Sequence, residues 1–285
     1  MHVFNHETAS LKRGSNVQEF NSEGVKFAYT TAGKDFSLDT LAKNTGKNTK
    51  PLILWAHGWG HTHANFAPLI TPLEPHANHI ALDFPGFGAS PPPPESWDTK
   101  DYADAVAQWL KKNKIPPVIW IGHSFGCRVG TQIAAHHPEC VNSMIFISGA
   151  GLKKKRPPLK KLYFYLRIKL FKILRKVIPE GALKTKIMSK FGSADYKKSG
   201  PMRTVFIRVV NEDLSETAKK IQCPVALIYG TEDSETPPEF GKRYSQLIPN
   251  SKLSLLDGQD HYSVLQNGRH QVIKIIDAFI KERQS

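Results

Sequence analysis

A chain of 285 residues with 40% apolar and 22% charged residues has the balance of a globular protein, sized for one large domain or two smaller ones. It has no stretch near the ~20 uninterrupted apolar residues of a membrane-spanning helix, and Met1 to Asn16 has no apolar block behind its charges, so no secretory signal is expected. The net charge of +14 points to nucleic acid only until it is located: eleven basic residues and no acidic one lie between Gly151 and Lys176, and removing them leaves +3.

Taken in chain order, Val17 to Phe20 and Val25 to Thr30 read as a hairpin around Ser22-Glu23-Gly24. Lys34 to Lys50 is polar and reads mainly as loop, with at most a turn of helix. Short continuous apolar runs follow at Leu52–Ala56, His79–Leu82, Val118–Ile121, Ser143–Ile147 and Val225–Tyr229. Continuous rather than alternating apolarity means that both sheet faces are covered, as in parallel sheets. Helical patterns at Asp101–Lys112, Arg128–His136, Glu239–Leu247 and Gln271–Glu282 lie between or after them. The alternation predicts an α/β fold with a doubly wound, mostly parallel sheet. From Gly151 to Lys220 there is no convincing strand, only helical patterns separated by prolines and glycines, which predicts a helical insertion. Residues 1–150 and 221–285 are then the core, and 151–220 a cap. Cys127, Cys140 and Cys223 are odd in number and widely spaced. They fit neither a disulfide framework nor a paired metal site, and read as reduced thiols in a cytoplasmic protein.

Gly122-His123-Ser124-Phe125-Gly126 matches G-x-S-x-G after an apolar run and before a helical pattern. A tight strand-to-helix turn there lifts the serine hydroxyl above the sheet edge, which makes Ser124 the candidate nucleophile. A hydroxyl needs a base, and the base needs an orienting carboxylate. Asp233, just past the strand Val225–Tyr229, is favoured over its neighbour Glu232 as that carboxylate. His261 follows the strand-like Leu253–Leu256 and is the candidate base; His270 falls in a helical pattern and reads as surface. Two backbone N–H groups must meet the developing oxyanion. Phe125, after the nucleophile, supplies one, and Trp59 in His57-Gly58-Trp59-Gly60 the other, with His57 read as a hydrogen-bonding residue of that loop.

With these residues in place the chain resembles the α/β-hydrolase superfamily, in its serine-nucleophile branch with a helical cap, over nearly all of Val25 to Ile280. Asp83 to Ser90 is similar to the family's D-x-P-G-x-G-x-S loop, Ile221 to Asp233 to the stretch carrying its acid, and Gly258 to His261 to its G-x-x-H. Serine at 124 argues against the dehalogenases and epoxide hydrolases, which carry aspartate there. The resemblance implies a serine hydrolase acting on an ester or related acyl bond of a small hydrophobic substrate, with no metal or organic cofactor. A carbon–carbon hydrolase of dienoic dicarbonyl compounds, faintly echoed by Asn65-Phe66, and an acyltransferase are the enzyme alternatives. A catalytically silent binding module is the non-enzyme one.

The basic segment remains. At about 100° per residue, the basic residues of Lys160–Val177 share one arc, while Leu162, Tyr163, Leu166, Leu170, Ile173, Leu174 and Val177 fill the complementary one. An amphipathic helix is expected, its apolar arc packed over the catalytic core. Phe164, Tyr165, Ile168 and Phe171, set among the lysines and arginines, add weak contact of residues 153–176 with an anionic membrane surface. No nucleic-acid partner is expected, and monomer and dimer stay open.

Overall fold

A computed structural model describes residues 17–22, 24–43, 50–155, 157–179, 181 and 194–283. The N-terminal segment, part of the predicted loop before Lys50 and part of the insertion lie outside the described residues. Eight strands, β1 (Gln18–Ser22), β2 (Val25–Ala32), β3 (Leu52–Ala56), β4 (Asn78–Asp83), β5 (Val118–His123), β6 (Val141–Ile147), β7 (Val225–Gly230) and β8 (Ser251–Leu256), form one sheet in the order β1-β2-β4-β3-β5-β6-β7-β8. The hairpin partners β1 and β2 pair antiparallel, as do β2 and β4; every other pairing is parallel.

The continuous apolar runs are explained by two cores, one on each face. Leu52, Leu54 and Ala56 of β3 and Val118 and Trp120 of β5 point into the larger core. Their neighbours Ile53, Trp55, Ile119 and Ile121 point into the smaller one. The larger core is closed by α3 (Thr99–Lys112), α4 (Phe125–His136) and α9 (Pro238–Leu247), the smaller by α2 (Ala67–Leu73) and α10 (Arg269–Glu282). A short α1 (Leu38–Lys43) sits in the stretch read as loop. Helix α2 is hidden in the sequence because Pro68 and Pro72 fall within it; in so short a helix the lost N–H groups matter little, and Leu69, Ile70 and Leu73 bury its inner side. Helix α3 begins at Thr99 rather than Asp101, because the Asp98 carboxylate accepts the N–H groups of Lys100 and Asp101.

Between β6 and β7 the described residues form helices and no strand: α5 (Pro158–Val177), α6 (Ala194–Lys198), α7 (Arg203–Asn211) and α8 (Ser215–Ala218). Helix α7 packs down, with Val205, Phe206 and Val209 buried. Helix α5 forms as predicted but does not pack as predicted. Leu162, Tyr163, Leu166, Leu170, Ile173 and Val177 are between 49% and 72% exposed. The larger core is covered instead by α7 and the residue before it, with Met202, Val205 and Val209 buried in it and no described residue of α5 among its members.

Candidate active site

The C-terminal ends of the parallel strands converge at one edge, where open α/β sheets build their sites. Ser124 stands between β5 and α4 with φ 48° and ψ −103°, a left-handed conformation unusual for a residue with a side chain. Its N–H donates to the Ile147 carbonyl at 3.1 Å, and its own carbonyl accepts the N–H of Cys127 at 3.1 Å and of Ala150 at 3.3 Å. The turn is this tight because both flanking glycines lack side chains: a β-carbon on Gly122 would collide with the backbone of Gly126, and one on Gly126 with the Ala56 carbonyl. Every backbone contact fixes Ser124, which remains partly accessible.

Asp233 and His261 arrive on the turns after β7 and β8. The Nδ1–H of His261 donates to Asp233 Oδ2 at 2.8 Å, with both residues buried. Asp233 Oδ1 accepts the backbone N–H groups of Glu235 at 2.9 Å and Thr236 at 2.8 Å. Burial pushes the Asp233 carboxyl up, but the bond and charge of His261 and the Thr236 donors outweigh it and hold it below the usual carboxylate range. Glu232, the rival in the sequence, is exposed, and His270 lies on the surface of α10. The other ring nitrogen, His261 Nε2, lies 4.0 Å from Glu235 Oε2. Among the described residues no hydrogen bond joins His261 to Ser124 Oγ.

Two residues that sequence reasoning missed hold this pair. Thr236 Oγ1 sits 2.8 Å from Asp233 Oδ2, 3.1 Å from His261 Nδ1 and 3.0 Å from the Ser148 carbonyl, so it ties the ends of β6, β7 and β8 together. A hydroxyl three residues after a turn carboxylate was the available signal. His123, the variable residue before the serine, donates from Nε2 to the His261 carbonyl at 3.0 Å, and the two rings lie 4.9 Å apart. Burial first, then the neighbouring His261 and His61, keeps His123 far below the ordinary imidazole range and so neutral.

In the loop after β3, His57 is the hydrogen-bonding residue it reads as. His57 is buried and uses both nitrogens, Nδ1–H to the Gly58 carbonyl at 2.7 Å and Nε2 as acceptor of the Phe84 N–H at 2.9 Å. Burial, over the opposing pull of the Gly58 carbonyl, lowers its pKa to about 4. Trp59 beside it stacks edge-on with Phe87, Phe125 and Phe206, the last of these from α7. Phe125 begins α4, so its N–H is one of the helix's unpaired donors. The Asp83–Ser90 loop braces the same corner. Asp83 Oδ1 accepts from His63 N at 2.7 Å and lies 2.9 Å from His63 Nδ1, while Oδ2 accepts from Ala89 N at 3.0 Å. Gly88, at φ 56°, leaves the space that carboxylate occupies. The Asn65-Phe66 pair is accounted for by local structure: Asn65 Oδ1 accepts the Thr62 N–H, and Phe66 is buried against Trp55.

A cavity of about 480 Å³ opens beside the pair; Leu152, Val210 and Phe240 give it an apolar side, and Arg128, Lys153, Lys154, Asn211, Glu235 and Thr236 a polar and charged one. Arg128 is almost wholly buried, and its nearest carboxylate, Glu212 Oε2, is 3.9 Å away. Among the described residues no group of three or more histidines, cysteines, aspartates and glutamates is arranged to hold a metal.

A sheet of this order, with a serine on a positive-φ turn after β5, a buried Asp–His pair and helices between β6 and β7, is the α/β-hydrolase fold. The profile described as alpha/beta hydrolase fold matches residues 51–171. The uncharacterized hydrolase YugF of Bacillus subtilis (strain 168) is 28% identical over 94% of this chain and 98% of its own. A 2-(acetamidomethylene)succinate hydrolase of Mesorhizobium japonicum is 25% identical over 76% of this chain and 83% of its own. Among solved structures, a membrane phospholipase A described as a bacterial virulence factor superposes with a TM-score of 0.71 at 21% identity, over 94% of this chain and 86% of that one. The homologues support an enzyme that carries out hydrolysis.

Proposed function

We propose that the protein is a serine hydrolase that cleaves an ester or related acyl bond of a small hydrophobic substrate. The observation that carries this reading is the buried Asp233–His261 pair at 2.8 Å, on the same sheet edge as a serine held at φ 48°. Ser124 Oγ attacks the substrate carbonyl as His261 Nε2 takes its proton, and Asp233 orients the ring and stabilises its charge. The oxyanion is received by the N–H groups of Trp59 and Phe125. His261 then protonates the departing alcohol, the acyl-enzyme forms on Ser124, and a water activated by His261 releases the acid. The hydrogen bond from serine to histidine tightens when substrate is bound, as such bonds commonly do. The apolar walls Leu152, Val210 and Phe240 of the neighbouring cavity suit a hydrophobic group. The three free thiols fit a reducing, cytoplasmic setting.

The test is turnover of p-nitrophenyl esters of increasing acyl length, with a dienoic diketone alongside. Ester cleavage by the wild type, lost by roughly a thousandfold or more in both Ser124→Ala and His261→Ala, is the expected result. Diketone cleavage with inert esters would move the enzyme to carbon–carbon hydrolysis, and undiminished ester cleavage by Ser124→Ala would remove the nucleophile assigned here.

A further inference from the structure

Helix α5 is 20 residues long, about 30 Å from end to end. Apolar side chains on the outside of a water-soluble protein are ordinary when scattered, but a continuous arc of large ones marks an interaction surface. Here Leu162, Tyr163, Leu166, Leu170, Ile173 and Val177 form such an arc, each about half exposed or more. Among the described side chains, Arg167, Phe171 and Leu174 of the helix and Ile178 just past it are partly buried, a side different from the arc.

The charge beside the arc decides what covers it. Lys169 and Lys172 are exposed along one border, with Lys169 Nζ 5.1 Å from the centre of the Tyr165 ring. Lys153, Lys154 and Lys155 are exposed just before the helix. The sequence from Gly151 to Lys176 holds eleven basic residues and no acidic one. A second copy of this chain would bring the same charges face to face and be repelled. Anionic lipid suits both features at once, with acyl chains for the arc and phosphates for the cations. Tyr163 and Tyr165 suit the boundary between them, with an apolar ring and a hydroxyl that stays wet.

We propose that α5 is an interfacial helix that lies on anionic bilayers, its apolar arc in the headgroup–acyl boundary and its lysines and arginines on the lipid phosphates. The attachment weakens with salt, because part of it is attraction between cations and phosphates that salt screens; no helix among the described residues is long and apolar enough to cross a membrane. It does not depend on the catalytic reading, so the test uses binding alone and can be run with Ser124→Ala.

Full-length protein is sedimented with phosphatidylcholine vesicles, with and without phosphatidylglycerol, at low and high salt. It is expected to pellet only with phosphatidylglycerol vesicles and only at low salt. The double variant Leu166→Glu/Leu170→Glu should lose at least about tenfold in partitioning, and Lys169→Gln/Lys172→Gln roughly tenfold, with thermal unfolding unchanged in both. Wild type that stays in the supernatant with anionic vesicles at low salt would overturn the proposal. So would undiminished binding by Leu166→Glu/Leu170→Glu. A dimer in lipid-free sedimentation that the same variant dissociates, without vesicle binding, would assign the arc to a second copy instead.

Discussion

Helices α5 and α7 belong to the same insertion, are both amphipathic and carry similar apolar residues, yet one is buried and the other is bare. Helix α7 turns Val205, Phe206 and Val209 inward and is clamped by polar contacts in and just past its last turn. Arg208 donates to the Ser96 carbonyl and to Asp98 Oδ2, and Glu212, just past the helix, accepts from the N–H and hydroxyl of Thr99. Helix α5 has eleven positive charges in and around it, and the large side chains of its apolar arc are about half exposed or more. Amphipathicity says that a helix has an apolar side, not where that side goes. The neighbouring charge pattern decides: α7 has partners on the core for Arg208 and Glu212 at its C-terminal end, whereas Gly151 to Lys176 carries eleven basic residues and no acidic one.

Breaking the buried helix should cost most. Phe206→Ala removes the ring that meets Trp59 and should lose roughly 3–5 kcal/mol of stability in urea unfolding. Lowering the pH attacks the same corner from below. The His57 pKa of about 4 lies under the unfolded value near 6.5, so below pH 6.5 the unfolded chain takes up a proton that the native loop refuses. The stability tied to His57 is therefore whole above pH 6.5 and is lost as the pH falls through 4, by roughly 3 kcal/mol. Protonating Nε2 would set two donors against each other, since Nε2 accepts the Phe84 N–H. The urea midpoint should fall over this window, with a flatter profile in His57→Gln. Removing the clamp charge with Glu212→Gln leaves buried Arg128 without its carboxylate and should cost about 2 kcal/mol. At the small end, Leu166→Ala on α5 should change stability by less than about 0.5 kcal/mol. A loss of 2 kcal/mol or more there would mean that the arc is packed in solution and would erase the contrast.

Much of this was legible in the sequence. Runs such as Leu52–Ala56 and Val225–Tyr229 are apolar at every position because alternate residues feed two cores, and that pattern reads directly as a covered parallel sheet. Ser124, Asp233 and His261 could be picked out because each follows a strand at the same edge. Helix α2 was not legible, since local propensity against Pro68 and Pro72 is overridden by burial of Leu69 and Leu73. Thr236 and His123 escaped because their importance lies in contacts between strand ends far apart in the chain. The exposure of α5 escaped for the same reason: periodicity reveals an apolar side but not which helix of the insertion covers the core.

The serine at the strained turn is the centre of the account, and covalent labelling reads it without a choice of substrate. A fluorophosphonate probe followed by intact mass and peptide mapping should place one adduct per chain on Ser124, with Ser124→Ala unlabelled and Asp233→Asn labelled far more slowly. An adduct elsewhere, or equal labelling of Ser124→Ala, would contradict it.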